Sequence, residues 1–199
     1  MNYKLALTTI LFSICLMTFL SVGCQRNYTP KPRGYFRISL PDKEYQSFDT
    51  TYPYQFDYPT YSKIVADSSG NAEAYWINLE FPQFDGKLHM SYKTINNNLY
   101  ELLEDNRSLA YKHTIKADAI NEKLFFDETK NVFGILYSIE GDAASAVQFF
   151  ATDSTRHFLR GSLYFNAIPN KDSLAPVIKF VREDIMHLME SLEWKAVNN

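Results

Sequence analysis

The 199-residue chain has only two cysteines, and neither is placed to staple a fold. Cys15 lies in the middle of a run from Leu5 to Val22 that is apolar or hydroxylated throughout, and Cys24 follows just beyond the end of that run. Lys4 is the sole charged side chain before Arg26, and the run closes on the small residues Ser21-Val22-Gly23. A small residue at a cut site with cysteine directly after it is what lipoprotein processing needs: the thiol accepts a diacylglycerol, and cleavage frees the cysteine amine for further acylation. Leu5 to Val22 is just long enough for an uncleaved membrane anchor, but an anchor gives no reason for the Gly-Cys pair. Residues 1–23 are therefore expected to be a signal peptide, and Cys24 the lipid-bearing first residue of the mature protein. Once Cys24 is alkylated, the chain has no thiol for a disulfide, a nucleophile or a cysteine metal site. A buried core must then supply all of the stability.

Roughly 176 residues remain after processing, enough for one domain with a sizeable core. The formal charge of −3 falls to −4 when Lys4 is removed, so the basic excess that nucleic-acid binding requires is missing. The expected division is signal peptide 1–23, lipidated cysteine and tether 24–33, and a single domain 34–199. The tether reading rests on Gln25 to Pro32, which has two prolines and no apolar periodicity.

Short Tyr-, Phe- and Ile-rich runs interrupted by proline read as strands or extended segments at 34–40, 52–58 and 62–66. The turn cluster Asp67-Ser68-Ser69-Gly70-Asn71 leads into two stronger strands, 74–81 and 87–95, arranged as a hairpin. The period then changes. Asn98 with Glu101 three residues on predicts a capping box, and Leu99, Leu102, Leu103, Asn106, Leu109, Ala110 and His113 follow at helical spacing to about Lys112. Strands are predicted at 114–126 and 132–140, then a second hairpin from 146–152 and 157–166. A last helix starting at Asp172 or Ser173 carries the stripe Val177, Ile178, Val181, Ile185, Leu188, Met189 and Leu192, with Pro176 in its first turn, where a missing amide is harmless. This order predicts an α+β fold: one domain with a mainly antiparallel sheet flanked by helices, an α/β/α sandwich resembling the Mog1/PsbP-like domains.

Chemistry is harder to find. A hydrolase would need Ser154 or Ser145, His157, and Asp142 or Asp153 as nucleophile, base and orienting acid, but no Gly-x-Ser-x-Gly elbow is present. Asp153-Ser154-Thr155 is better read as hairpin-turn chemistry. His89, His113, His157 and His187 lack metal-ligand spacing and are expected to be partly exposed, and no glycine-rich phosphate loop occurs. No cofactor is expected. Glu101, Glu104 and Asp105, and the pair Glu183 and Asp184, read as solvated helix faces beside Arg107, Lys179 and Arg182. Arg160 alternates onto the face of Phe158 and Tyr164, where it either snorkels past aromatic rings or presents a cation to a partner. Asp49-Thr50-Thr51, Asp153-Ser154-Thr155 and Asp172-Ser173-Leu174 resemble the acceptor of periplasmic O-glycosylation in Bacteroidetes, making Thr50, Ser154 and Ser173 candidate sites.

The segments Tyr28 to Pro41, YTPKPRGYFRISLP, and Ala143 to Asn166, AASAVQFFATDSTRHFLRGSLYFN, together with Ser191-Leu192-Glu193-Trp194, resemble the gliding-motility lipoprotein family GldD of Bacteroidetes. The resemblance runs over nearly the whole mature chain. It implies a lipoprotein of the cell envelope needed for gliding over surfaces and associated with the machinery that supports type IX secretion. It brings no catalytic motif. Ser21, where lipoprotein signals usually carry Leu, departs from the common pattern, and such relaxed signals are tolerated in Bacteroidetes. A non-enzymatic accessory or scaffold role follows, with the membrane engaged through the lipid and motility or secretion proteins as partners. The residues proposed for the partner surface are Arg33, Tyr35, Arg37, Arg156, Arg160 and Tyr164. The alternatives are an envelope enzyme acting on peptidoglycan or glycan with an unrecognised site, and a binder of a soluble ligand using the aromatic surplus. Gln25-Arg26-Asn27 lacks both the Asp of inner-membrane retention and an acidic surface-export cluster, which suggests a periplasm-facing anchor.

Overall fold

The computed structural model describes residues 3, 13, 38–167 and 171–196. Cys24, Arg33, Tyr35 and Arg37 lie outside the described residues, as do the tether and most of the 34–40 segment.

Seven strands form one antiparallel sheet in the order β3-β4-β5-β9-β8-β7-β6: β3 Lys63–Ala66, β4 Ile77–Phe81, β5 Gly86–Thr94, β6 Ala117–Asp127, β7 Val132–Gly141, β8 Ser145–Thr152 and β9 His157–Phe165. A smaller sheet, β1-β2-β10, joins β1 Tyr45–Phe48, β2 Tyr54–Pro59 and β10 Glu193–Trp194. Between residues 38 and 196 the described α-helices are α1 Leu99–Tyr111 and α2 Lys171–Ser191. The α+β order, the hairpins and both helices agree with the pattern of the sequence. The smaller sheet does not follow from it. β1 and β10 are too short to show a period, and they exist because β2 offers both of its edges to them.

Period-two alternation decides which helix each strand face receives. Leu88, Met90 and Tyr92 of β5, Leu159 and Leu163 of β9, and Val147, Phe149 and Ala151 of β8 form the main core with Val181, Ile185, Leu188, Met189 and Leu192 of the α2 segment and with Tyr54 and Phe56 of β2. Residues of opposite parity, Phe150, Phe158 and Tyr137, meet α1 through Ala110, Leu99, Leu102 and Leu103. The large sheet is thus covered on one face by α2 and the small sheet, and on the other by the shorter α1. Aromatic stacking accounts for much of the aromatic surplus: Phe48, Tyr52, Tyr54 and Phe56 pack ring against ring at 5.2–6.1 Å.

Two helix details differ from expectation. Asn98 precedes α1 but does not cap it with its side chain; its Oδ1 accepts the Asn96 N–H at 2.8 Å and closes the preceding turn instead. Helix α2 begins at Lys171, so Pro176 falls in the second turn, not the first. Proline there supplies no amide for the bond to Asp172, a loss confined to the start of a helix whose remaining length is held by its apolar stripe.

Candidate functional site

The α1 face of the large sheet carries an unusual row. Strand register aligns Val65, Asn78, His89, Ser162, Gln148, Tyr137 and Glu122 across all seven strands in one continuous file. From Asn78 to Glu122 every member is polar. A helix-covered sheet face ordinarily buries hydrocarbon, yet Asn78, Ser162 and Gln148 are 7%, 5% and 1% exposed, and Asn106 of α1 is 1% exposed. Among the described residues, Asn78 Oδ1, Gln148 Oε1, both amide atoms of Asn106 and Arg160 Nε are buried without a hydrogen-bond partner. Each such orphan costs about 1–3 kcal/mol, and a folded domain usually keeps few of them.

Helix α1 packs on Phe158 at the start of β9, on Phe150 of β8 and on Tyr137 of β7, and His89 of β5 is exposed. The first turn of α1 lies near the β8-β9 hairpin, where Leu99 and Tyr100 share a depression with Ser154 and Thr155. Its last residue, Tyr111, donates from Oη to Glu122 Oε1 on β6 at 2.9 Å. The helix therefore crosses from β9 towards β6. Beside the β4-β5 turn and the end of β9, Glu80, Lys87, His89, Tyr164, Asp85 and Asn166 line a depression of about 440 Å³. Lys87 Nζ is 3.0 Å from Glu80 Oε1, and the His89 and Tyr164 rings meet edge to face at 5.7 Å.

Charge is nearly balanced here. Burial lowers the Arg160 pKa, opposed by the attraction of Tyr164 and Asp105, and Arg160 Nη2 donates to Ser162 Oγ at 3.2 Å. Burial, then Lys87, lowers His89, with Asp67 acting against both. Asp67 itself is held below the usual carboxylate range, mainly by the Ser69 backbone amide.

The residues proposed from sequence fall on separate surfaces. Arg156, Arg160 and Tyr164 have the same parity along the β9 segment, but buried Phe158 lies between Arg156 and Arg160. Arg156 is exposed at the hairpin tip, whereas Arg160 and Tyr164 are half-buried beside the depression. Arg160 is half-buried, with Nε buried and Nη2 bonded to Ser162 Oγ, so its guanidinium faces the polar file. Thr50, Ser154 and Ser173 are all exposed.

Three of the hydrolase candidates, Asp153, His157 and Ser145, have structural roles. Asp153 Oδ1 accepts the backbone N–H groups of Thr155, Arg156 and His157 at 2.8–3.0 Å, as expected of hairpin-turn chemistry. Burial alone would raise its carboxyl, but these amides outweigh burial and hold it low. His157, expected to be partly exposed, is buried, with Nδ1 2.7 Å from Tyr92 Oη and its ring stacked on Trp194. Ser145 is fully buried. A second correction concerns Asp184, expected on a solvated helix face. It is 1% exposed and accepts from Lys43 Nζ at 2.6 Å, Tyr45 Oη at 2.9 Å and the Tyr61 hydroxyl. Neighbours from β1 and the loop after β2 surround it, and the periodicity of α2 alone does not reveal them.

Sequence reasoning also missed Asn78, Asn106, Ser162 and Gln148 as a group. Two of them left a signal. Asn106 occupies an inward position of the α1 stripe, and Gln148 interrupts the apolar run Ala146 to Ala151. Their meeting depends on strand order, which periodicity does not encode. Among the described residues, no group of three or more His, Cys, Asp or Glu side chains is placed to hold a metal ion.

Residues 25–194 match the family described as gliding motility lipoprotein GldD. The chain belongs to that family. Membership makes it a gliding-motility lipoprotein associated with the cell envelope. No helix among the described residues is long and apolar enough to cross a membrane. No curated protein matches the chain. Among solved structures, the solution structure of cyanobacterial PsbP (CyanoP) from Synechocystis sp. PCC 6803 is similar with a TM-score of 0.45 and 12% identity, covering 80% of this chain and 97% of that one.

Proposed function

We propose that this lipoprotein is a non-enzymatic accessory or scaffold component of the gliding and type IX secretion machinery, held on the periplasmic side of a membrane by lipid on Cys24. The observation that carries this reading is the β6 edge. β6 is eleven residues long and outermost in the large sheet, and it exposes Leu124 and Phe126 by 75% and 67% on the α1 face. Long edges bearing exposed apolar side chains invite an added strand. Main-chain bonds give such a complex affinity, and alternate side chains give it specificity. The proposed occupant is an extended segment of a membrane-associated machinery protein. Lipid anchoring raises the effective concentration of β6 near such a partner, so a modest interface suffices. Exposed Arg156, at the β8-β9 hairpin tip, is retained as a second contact.

The engagement of Asp153, Asp184 and His157 in structural bonds supports the non-enzymatic reading. Replacing Cys24 with Ala should release a folded domain and abolish gliding. Recovery of the lipidated protein from membranes in mild detergent should bring machinery proteins with it. Leu124→Glu with Phe126→Glu should remove those proteins without unfolding the domain. Normal gliding by the Cys24→Ala strain, or unchanged co-recovery with the β6 double variant, would overturn the proposal.

A further inference from the structure

Strand register brings four parts of the chain to one end of the large sheet. Phe81 pairs with Gly86, Gly86 with Phe165, Tyr164 with Ser145 and Gly141 with Ala117, so the β4-β5 turn, the end of β9, the β7-β8 turn and the start of β6 lie together there. The chain also enters the domain at this end. Gln83 of the β4-β5 turn donates from Nε2 to the Ser39 carbonyl at 2.6 Å, and Ile38 packs on the main core. Residues 25–37, thirteen in all, separate Cys24 from Ile38. They span at most about 45 Å. β6, eleven residues long, reaches about 36 Å from this end of the sheet to the other. A lipid on Cys24 therefore lets the near end rest on the bilayer, whereas the far end could reach it only with the tether drawn nearly straight.

The near end carries the most exposed large apolar side chain among the described residues. After α1 the chain makes a single 3-10 turn, Lys112–Ile115, before β6, and Ile115 is 92% exposed. Lys112, Thr114 and Lys116 around it are exposed as well. An isoleucine so placed adds nothing to the core. Between two lysines with aliphatic stems, it has the form of a side chain that enters a lipid interface while the ammonium groups stay among the phosphates. Charge alone would not hold the tip there, because exposed Asp118 and Asp142 each follow a member of the Ala117 and Gly141 pair. Leu40, 40% exposed next to Ser39, adds an apolar contact on the tether side.

We propose, on the reading that Cys24 is lipidated, that this end of the large sheet faces the membrane, with Ile115 inserted among the lipid headgroups between Lys112 and Lys116. The lipid supplies most of the affinity, and Ile115 sets the orientation. Burying one such side chain favours the inserted tip by about ten-fold or more. β6 then leaves the bilayer at Ala117 and carries Leu124 and Phe126 away from it, where a neighbouring protein can reach the edge. Phe126, exposed at the far end of the same strand, marks the opposite orientation.

The chain from Cys24 onward contains one thiol, so a maleimide-bearing phospholipid couples residues 24–199 to phosphatidylcholine vesicles whether or not the cell acylates Cys24. Ile115→Trp and Phe126→Trp each replace an exposed side chain and report from the two ends, measured against the emission of Trp76 and Trp194. With lipids brominated near the headgroup, the emission added by Ile115→Trp should shift to the blue and fall by about half or more. The emission added by Phe126→Trp should match that in unbrominated vesicles, with circular dichroism unchanged in both variants. Equal Ile115→Trp emission in the two kinds of vesicle, or stronger quenching of Phe126→Trp than of Ile115→Trp, would overturn the proposal. Because the anchor is supplied chemically, a native Cys24 found without lipid would overturn the anchoring reading by itself and leave the measured orientation of the tethered domain unchanged.

Discussion

Tyr92 and His157 meet hydroxyl to Nδ1 at 2.7 Å, joining β5 to the start of β9 beneath the stacked indole of Trp194. Both residues are at least 95% buried, so neither group can exchange this partner for bulk water. Tyr92→Phe keeps the ring packing and removes the hydroxyl. It is expected to cost about 1–3 kcal/mol, seen as a lower urea midpoint with an unchanged slope. A midpoint equal to wild type would mean that water reaches Nδ1.

His157 also gives stability a pH dependence. Burial lowers its pKa, with Asp153 opposing, so the unfolded chain takes up a proton before the folded one does. The contribution is complete above the unfolded value of about 6.5 and is lost as pH falls from there towards the lower folded value. Burial lowers His89 and His113 as well, so the useful quantity is a difference. His157→Asn keeps an acceptor near the Nδ1 position and cannot titrate. Urea titrations from about pH 7.5 to 5 should show a shallower loss of stability for this variant than for wild type. Parallel curves would place the titration elsewhere.

Asp184 joins α2 to the segment before β1, to β1 and to the loop after β2 through Lys43, Tyr45 and Tyr61. Lys43 also donates to the Phe180 carbonyl and lies 3.6 Å from the Phe180 ring centroid. Removing the carboxylate strands two hydroxyls and an ammonium in a half-buried site. Asp184→Ala should destabilise by roughly 2–4 kcal/mol, and Asp184→Asn, which keeps one acceptor oxygen, by less. Thermal unfolding of both variants measures the difference. Equal losses would mean that packing, not hydrogen bonding, sets the cost.

Asp184 also marks where sequence ceases to inform. The stripe of α2, the period of β5 and the β8-β9 hairpin were legible because each is a local pattern imposed by one buried face. Asp184 looks like any acidic residue beside Glu183, because the groups that bury it are separated from it by more than a hundred residues. The candidate site is similar. Asn106 and Gln148 each stand out as a polar residue at an inward position, but their alignment with Asn78 and Ser162 follows from the order β4-β5-β9-β8. That order places β9 between β5 and β8, which come before it in the chain. It is a long-range property that no periodicity reveals.

Gly161 lies opposite Phe149 in the β8-β9 register, and a Cβ added there would sit 2.1 Å from the Phe149 ring. The ring fills the space a side chain would take. Gly134 is tighter in a different sense, because its added Cβ would meet the Phe150 carbonyl oxygen, also at 2.1 Å. A ring can turn in part, whereas a sheet carbonyl cannot move without disturbing the ladder. Gly161→Ala should cost about 1–3 kcal/mol and Gly134→Ala more. If denaturant unfolding ranks them the other way, Phe149 is the more rigid neighbour.

The three candidate O-glycosylation positions differ in whether their aspartate can be reached. Asp153 is 8% exposed and occupied by three backbone amides, so an enzyme reading Asp-Ser-Thr around Ser154 would have to open the hairpin turn. Ser173 is exposed but lies within the first turn of α2, where helical backbone must unwind to enter an extended acceptor groove. Thr50 lies between β1 and β2, exposed, and the Asp49 side chain beside it is 65% exposed even while bonded to Lys195. Glycosylation is therefore expected at Thr50. Intact mass of the protein from its native membrane should exceed that of the lipidated polypeptide by one glycan, and Thr50→Ala should remove the excess while Ser154→Ala leaves it. A native mass without added sugar would exclude all three positions. Loss of the glycan only in Ser154→Ala would show that the Asp153 turn opens in the native protein.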